Sequence, residues 1–333
     1  MTNRSDPFPA HIRRTGETEV RQPVSEHNRQ ASQYALNALA AARLGGAAKL
    51  VGLLHDMGKY TVRYRGYLEN AVCGIGPAVR GSVNHSFAAV RYLLEHYHGR
   101  ASPCGPLTAE LLAYAAGAHH GLFDCVDAGH RSGFQHRMEK EDICYEEAVG
   151  NFLQYCAGEE ELETLFAEAE AEIEQAYRKL IPLLRQDETA SEEARFYLGM
   201  LARLLLSAVI EGDRRDTAEF EQDMRFPQAR TPDELHILWE TLSDRVDRKL
   251  GELPHRTEVE KARREISDRC RAFAEKPGGI YRLNVPTGAG KTLSSLRYAL
   301  AHAARYGKSR ILFVAPILTS LDKGTQPFVV CDG

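Results

Sequence analysis

The sequence lacks any uninterrupted apolar run of about 18 residues, the length a membrane-spanning helix needs. Its opening stretch, MTNRSDPFPAHIRRTGETEV, contains no apolar segment of signal-peptide length. A cytoplasmic protein with no membrane partner is therefore expected. The seven cysteines (73, 104, 125, 144, 156, 270 and 331) form no CxxC pair, which argues against both a zinc ribbon and a disulfide framework, and they read as reduced thiols. A basic excess is missing too: 42 Lys and Arg stand against 46 Asp and Glu, for a net charge of −4. No global attraction to nucleic acid or to an acidic surface follows, so any such contact has to be local. Long polar or repetitive tracts are absent, and with 43% hydrophobic and 26% charged residues the chain falls in the ordinary globular class. At 333 residues it exceeds one typical domain.

What is present is helical. The first 240 residues show almost no alternating strand pattern, and apolar residues recur instead at helical spacing. Ala31, Tyr34, Ala35, Ala38, Leu39 and Ala42 make a stripe on a helix expected to start after Pro23 with Ser25 as N-cap. A second helix, apolar nearly all round (Leu50, Val51, Leu53, Leu54), ends at HDMG, where Gly58 suits a stop. Further helices begin near His85, end at His119 and His120, and run from Ser191 through Val209 to Asp213. The mainly α fold class expected here comprises an all-α domain over residues 1–225, a helical connector over 226–276 and the beginning of a RecA-like α/β domain over 277–333. Charge is polarised along the chain. Residues 59–100 carry six basic side chains against two acidic, whereas 159–177 carry eight glutamates and nothing basic. That acidic stretch also carries Leu162, Leu165, Phe166, Ala169 and Ile173 at helical spacing, so its charges read as a solvated face without chemistry.

An adjacent His-Asp pair means little alone. Here, however, five histidines (His27, His55, His85, His119, His120) and two aspartates (Asp56, Asp213) fall on five helical segments, each at a terminus or on a buried face. Buried imidazoles and carboxylates are costly unless paired or metal-bound, and one shared metal site satisfies them all. Nitrogen donors mixed with carboxylates suit first-row transition ions, manganese, iron, cobalt or nickel ahead of magnesium. Seven ligands exceed the needs of one ion, so two divalent ions are expected, with the carboxylate of His55-Asp56 able to bridge them for phosphodiester hydrolysis. His96, His98, His130 and His136 read as ordinary surface histidines. The stretch YTVRYRGY (residues 60–67) interleaves tyrosines with Arg63 and Arg65. It reads either as a phosphate-contacting, base-stacking segment or as the start of an amphipathic helix.

These residues resemble the nuclease-helicase of type I CRISPR systems, whose N-terminal part is an HD domain. The resemblance runs through EH at His27, HDMGK at His55 to Lys59, NHS at His85, AHHG at His119 and His120, and EGD at Asp213. It implies that His27, His55, Asp56 and Asp213 hold one ion and that Asp56, His85, His119 and His120 hold the other. It also implies that Lys59 helps bind or polarise the scissile phosphate, beside the plainer reading of a solvated cation at a helix end. The implied substrate is single-stranded DNA, the strand displaced by a guide RNA, delivered by an RNA-guided surveillance complex.

After Pro277-Gly278-Gly279 the character changes. Ile280–Val285 and Arg310–Ala315 are rich in strand formers and flank a turn and a helix. PTGAGKT, between the first strand and the helix, is a phosphate loop: Thr287, Gly288, Ala289 and Gly290 supply backbone N–H groups, Lys291 reaches the terminal phosphates and Thr292 ligates magnesium. Val285 stands where the strict pattern has its first glycine, as in superfamily 2 helicases. ATP with magnesium is the expected ligand. No acidic motif or second RecA-like unit follows within the 333 residues, so the motor is expected to be incomplete and its ATPase and helicase activities doubtful. Two other functions stand beside the nuclease: an HD phosphohydrolase acting on nucleotides, and a non-catalytic remnant that binds DNA or a partner.

Overall fold

The computed structural model describes residues 5–16, 18–74, 83–122, 133–138, 144–184, 188–226, 230–254 and 256–314. His130, Arg80 and residues 315–333 lie outside this set, as does the side chain of His136. The chain is mainly helical and divides into two compact units, Met1–Phe226 and Pro227–Gly333.

The first unit opens with β1 (Pro9–Thr15) and β2 (Thr18–Pro23), an antiparallel hairpin with a register shift between Pro9 and His11. Helices α1 (Val24–Leu39), α2 (Gly45–Leu54), α3 (Val62–Cys73), α4 (Phe87–Leu93), α5 (Gly105–Ala118), α6 (Gly133–Met138), α7 (Tyr145–Tyr155), α8 (Glu159–Arg178), α9 (Ile181–Leu184) and α10 (Glu188–Gln222) follow. The apolar circumference of α2 explains its place: Leu50, Val51, Leu53 and Leu54 are all buried, and α2 packs against α1, α5, α8 and α10. A helix buried on every side has to lie at the centre of its unit. The His-Asp pair at its end is thereby carried into the interior.

Two glycines make close approaches possible. A Cβ at Gly212 would meet the Ala31 carbonyl oxygen, so its absence lets α10 lie against α1. A Cβ at Gly58 would strike the backbone of His85. Gly58 was expected as a helix stop; its position against His85 is set by packing instead. The start of α1 differs from expectation by a residue or two. Ser25 sits in the first turn, and its N–H donates to Asp6 Oδ2 at 2.8 Å, so the cap comes from a preceding aspartate.

The hairpin was not anticipated. Half of β2 is exposed and its one buried residue is the polar Gln22, so burial imprints no apolar alternation on it. Side-chain ties hold it instead: Arg14 donates to Glu19 and to the Val72 carbonyl, and Arg21 pairs with Glu69 of α3 at 2.7 Å.

In the second unit, α11 (Pro232–Gly251) and α12 (Glu258–Phe273) each begin with a capping box, Thr231 with Glu234 and Thr257 with Glu260. Both pack on α13 (Lys291–Tyr306). Trp239, Leu300 and Ala303 form a small core, with the Trp239 indole N–H donating to the Lys308 carbonyl at 2.7 Å. Arg297 of α13 pairs with Asp247 of α11 and Asp268 of α12, each at 2.6 Å. Of the segments expected as strands, 280–285 and 310–315, the described residues, which leave out Ala315, show no strand pairing. Ile280, Leu312 and Val314 are exposed there. A strand is defined by its partner, and neither segment lies in a ladder with another. Among the described residues no helix is long and apolar enough to cross a membrane.

Candidate metal centre

Seven side chains from five segments converge in the first unit. His27 comes from the first turn of α1, and His55 and Asp56 follow the last turn of α2. His85 precedes α4, His119 and His120 follow α5, and Asp213 projects from α10. They form two groups that share Asp56. In the first, His27, His55, Asp56 and Asp213 bring one donor atom each within 4.8 Å of one another; in the second, Asp56, His85, His119 and His120 do the same. His27 Nε2 lies 3.2 Å from Asp56 Oδ2 and 3.5 Å from Asp213 Oδ1, and His55 Nε2 lies 3.2 Å from Asp56 Oδ2. The other Asp56 oxygen faces His119 Nε2 at 3.6 Å and His85 Nε2 at 3.7 Å. His85 Nε2 and His120 Nε2 stand 2.6 Å apart.

The outer nitrogens explain this orientation. His55 Nδ1–H donates to the Gly52 carbonyl (2.8 Å), His119 Nδ1–H to Ala116 (2.6 Å) and His85 Nδ1–H to Val83 (3.2 Å). His27 Nδ1–H donates to a carboxylate, Asp216 Oδ2, at 2.6 Å. Each bond fixes the orientation of its ring and aims Nε2 inward, where it can serve as a ligand once it carries no proton, the arrangement found around metal-ligating histidines. Inside the cluster, His27 Nε2, His55 Nε2, His119 Nε2 and Asp56 Oδ1 are buried with no hydrogen-bond partner among the described residues. Such atoms are costly when left alone, and all four point at the same two places. Imidazole and carboxylate donors orphaned in this way fit divalent transition ions.

Electrostatics agree. Burial pushes the His27 imidazole down, but Asp213, Asp216 and Asp56 outweigh it and lift it to about 10. Burial likewise opposes charge on His55, which Asp56 and Asp213 lift to about 9. Asp213 is held well below the usual carboxylate range because His27 and His55 overcome its burial. The carboxylates around the first group thus demand positive charge. In the second group burial dominates, pushing His85 down to about 4 and His120, beside His119, down to about 3.

Lys59 is buried, with Nζ 2.6 Å from Asp56 Oδ2 and 5.7 Å from the centre of the Tyr64 ring. That burial rules out the alternative reading of a solvated helix-end cation; the attraction of Asp56 outweighs desolvation and raises its pKa. Arg63 and Arg65 lie on the exposed and half-exposed sides of α3, which follows the metal motif directly, while Tyr64 between them is buried against the His85 ring at 5.1 Å. His96 and His98 are at the surface, His98 paired with Glu110 at 2.9 Å.

Several site residues escaped the sequence reading. Asp216 lies one helical turn beyond Asp213, and that i+3 spacing of carboxylates was the available signal. Gln22 donates to the same Asp216 oxygen at 2.8 Å. His11, on β1, packs edge-on against His27 with ring centres 4.8 Å apart and contacts Thr217 Oγ1 at 3.2 Å; nothing in its spacing singled it out.

In the second unit, Gly288 and Gly290 both adopt left-handed backbone conformations, with φ of 82° and 80°. Thr287, Gly288 and Ala289 turn the chain, and the Ala289 N–H donates to the Pro286 carbonyl at 3.2 Å. Gly290 caps α13, with Lys291 and Thr292 exposed in its first turn. Arg263 of α12 donates to the Gly288 carbonyl at 2.8 Å.

No protein-family model matches the chain, and no curated protein matches it.

Proposed function

We propose that the first unit is an HD-type, metal-dependent phosphodiesterase that cuts single-stranded DNA, in the manner of the type I CRISPR nuclease-helicases its motifs resemble. The observation that carries this reading is the position of Asp56, whose two oxygens each face a separate set of histidines. His27, His55, Asp56 and Asp213 would hold one ion, and Asp56, His85, His119 and His120 the other. When bound, a pair of divalent ions activates water and stabilises charge developing on the phosphate. Asp56 faces both sets of histidines and pairs with the buried Lys59, whose charge would add to the attraction for a phosphate brought to the site. Arg63 and Arg65 on α3 supply local attraction for the backbone that the net charge of −4 does not. His120 is exposed and His85 half-buried, so the second metal position reaches the surface. That opening suits a strand lying across the site better than a small ligand enclosed within it. The second unit would bind ATP and magnesium through Thr287 to Thr292, and an RNA-guided surveillance complex would deliver the strand.

The test is to strip the protein of metal and offer labelled circular single-stranded DNA, its duplex form and a panel of nucleotides. Manganese, cobalt, nickel or magnesium is added in turn, without ATP. Cleavage of the single-stranded circle that depends on a transition metal and is lost in Asp56→Ala is expected. Turnover of nucleotides with DNA intact would move the chain to the nucleotide phosphohydrolases. An unchanged rate in Asp56→Ala would overturn the metal mechanism.

A further inference from the structure

The two donor sets are not equivalent in charge, burial or support. The first contains two carboxylates, Asp56 and Asp213, and three of its four members are fully buried. The second contains Asp56 alone with three imidazoles, one of them exposed. A divalent ion is attracted more strongly by two carboxylates than by one, and burial weakens the competition from solvent.

The outer partners of the histidines add a further difference. His55, His85 and His119 lean on neutral main-chain carbonyls, whereas His27 leans on Asp216 at 2.6 Å. Asp216 is itself buried, and Gln22 donates to the same oxygen at 2.8 Å, which limits its rotation. A carboxylate behind an imidazole fixes its orientation and raises its basicity as a ligand, an effect typically worth 10- to 100-fold in metal affinity.

We infer that the two positions load in order, the His27–His55–Asp56–Asp213 position first and tightly, the Asp56–His85–His119–His120 position second and weakly, with Asp216 the positioning residue that sets the gap. Asp216 touches the first position through His27, and among the described residues no comparable carboxylate is hydrogen-bonded to the Nδ1 of a histidine of the second. The inference rests on reading the cluster as a metal centre. It adds a resident inner ion and an exchangeable outer one.

The experiment titrates the metal-stripped full chain with manganese, following bound metal by equilibrium dialysis and spin state by electron paramagnetic resonance. Two steps are expected: a first equivalent with the signal of an isolated ion, and a second, weaker one that brings spin coupling between neighbouring ions. Asp216→Asn keeps an acceptor for His27 Nδ1–H but removes the charge. It should weaken the first step by roughly 10- to 100-fold and leave the second ion's own ligands untouched. His120→Ala should remove the second step alone. Gln22→Leu, which loosens Asp216 without removing it, should weaken the first step by only a few-fold, and it decides the role of Asp216 if the Asn variant does not fold. Failure of the wild-type chain to bind manganese would overturn the metal centre itself. Coupling already present at the first equivalent would overturn ordered loading while leaving the centre standing. A first step unchanged in folded Asp216→Asn, or in Gln22→Leu if the Asn variant does not fold, would remove the role given to Asp216.

Discussion

The Gly58 N–H donates to the His85 carbonyl at 3.0 Å, and the space a Cβ would occupy on Gly58 is filled by the His85 backbone. One residue of the HDMGK turn therefore holds the segment that brings His85 into the second donor set. Gly58→Ala must displace that segment. We expect it to cost about 1–3 kcal/mol of stability, as overpacking of a tight contact does, and to weaken the outer metal position more than the inner one. Thermal melting together with manganese stoichiometry checks both parts. A variant that melts like the wild type and binds two ions unchanged would show that the contact relaxes without consequence.

The histidines make opposite contributions to stability as pH changes. In the metal-free protein His27 and His55 hold their protons to about 10 and 9, above the ordinary value of 6.5. Their contribution is complete below pH 6.5 and is lost as pH rises through 9 and 10. His85 and His120, pushed down to about 4 and 3 by burial, refuse protons that the unfolded chain accepts. Their contribution is present above pH 6.5 and is lost on acidification toward 4 and 3. For these four groups together, stability is greatest near pH 6.5. Metal ions require deprotonated ligands, so saturating manganese should abolish the alkaline fall. Melting curves from pH 5 to 10, with chelator or with manganese, test this against a His27→Gln variant, whose alkaline fall should be smaller. A chelated wild-type protein that melts higher at pH 9.5 than at 6.5 by more than that variant does would contradict the assignment.

Every residue of the candidate metal centre belongs to Met1–Phe226, whereas the candidate phosphate loop, Thr287 to Thr292, belongs to Pro227–Gly333. Lys291→Ala should accordingly leave metal stoichiometry and cleavage of single-stranded DNA within about two-fold of wild type, a change of about 0.4 kcal/mol. Binding of a fluorescent ATP analogue should be lost. A tenfold loss of cleavage in the same variant would show that the two units depend on each other for catalysis.

The residues of the two donor sets were legible because most of them fall where a polar residue is expensive, at the end of an apolar helix or on its buried face. His55 and Asp56 follow four buried aliphatic residues, and Asp213 follows Val209 by one turn. The residues behind them were not legible by the same logic. Asp216 sits among charged neighbours in EGDRRDT, where a second aspartate looks solvated until His27 and Gln22 are seen against it. The β-hairpin carrying Gln22 and His11 was hidden because its outward residues are charged and its ties to α3 are made by long arginines, which leave no periodic apolar trace. The expected strands of the second unit illustrate the converse. Their composition is strand-like, but ladder pairing is a property of neighbours, and composition alone does not supply one.

The acidic helix α8 was read as a solvated face, and Glu172 departs from that. Its two carboxylate oxygens accept from the Gly46 N–H at 3.0 Å and the Ala47 N–H at 2.8 Å, at the start of α2. Leu44, the N-cap of α2, provides no side-chain cap of its own. Glu172 therefore does from a distant helix what a capping aspartate does locally, and its charge also meets the positive end of the helix dipole. Glu172→Ala leaves two N–H groups without acceptors beneath the helix that delivers His55 and Asp56. The expected loss is about 1 kcal/mol, seen as a lower urea midpoint at unchanged slope. Glu172→Gln, which keeps one acceptor and loses the charge, should fall between that variant and the wild type. Manganese stoichiometry should stay at two in both, because the capped end of α2 lies about 15 Å along the helix from the metal ligands at a rise of 1.5 Å per residue. Equal midpoints for Glu172→Ala and the wild type would return Glu172 to the solvated face.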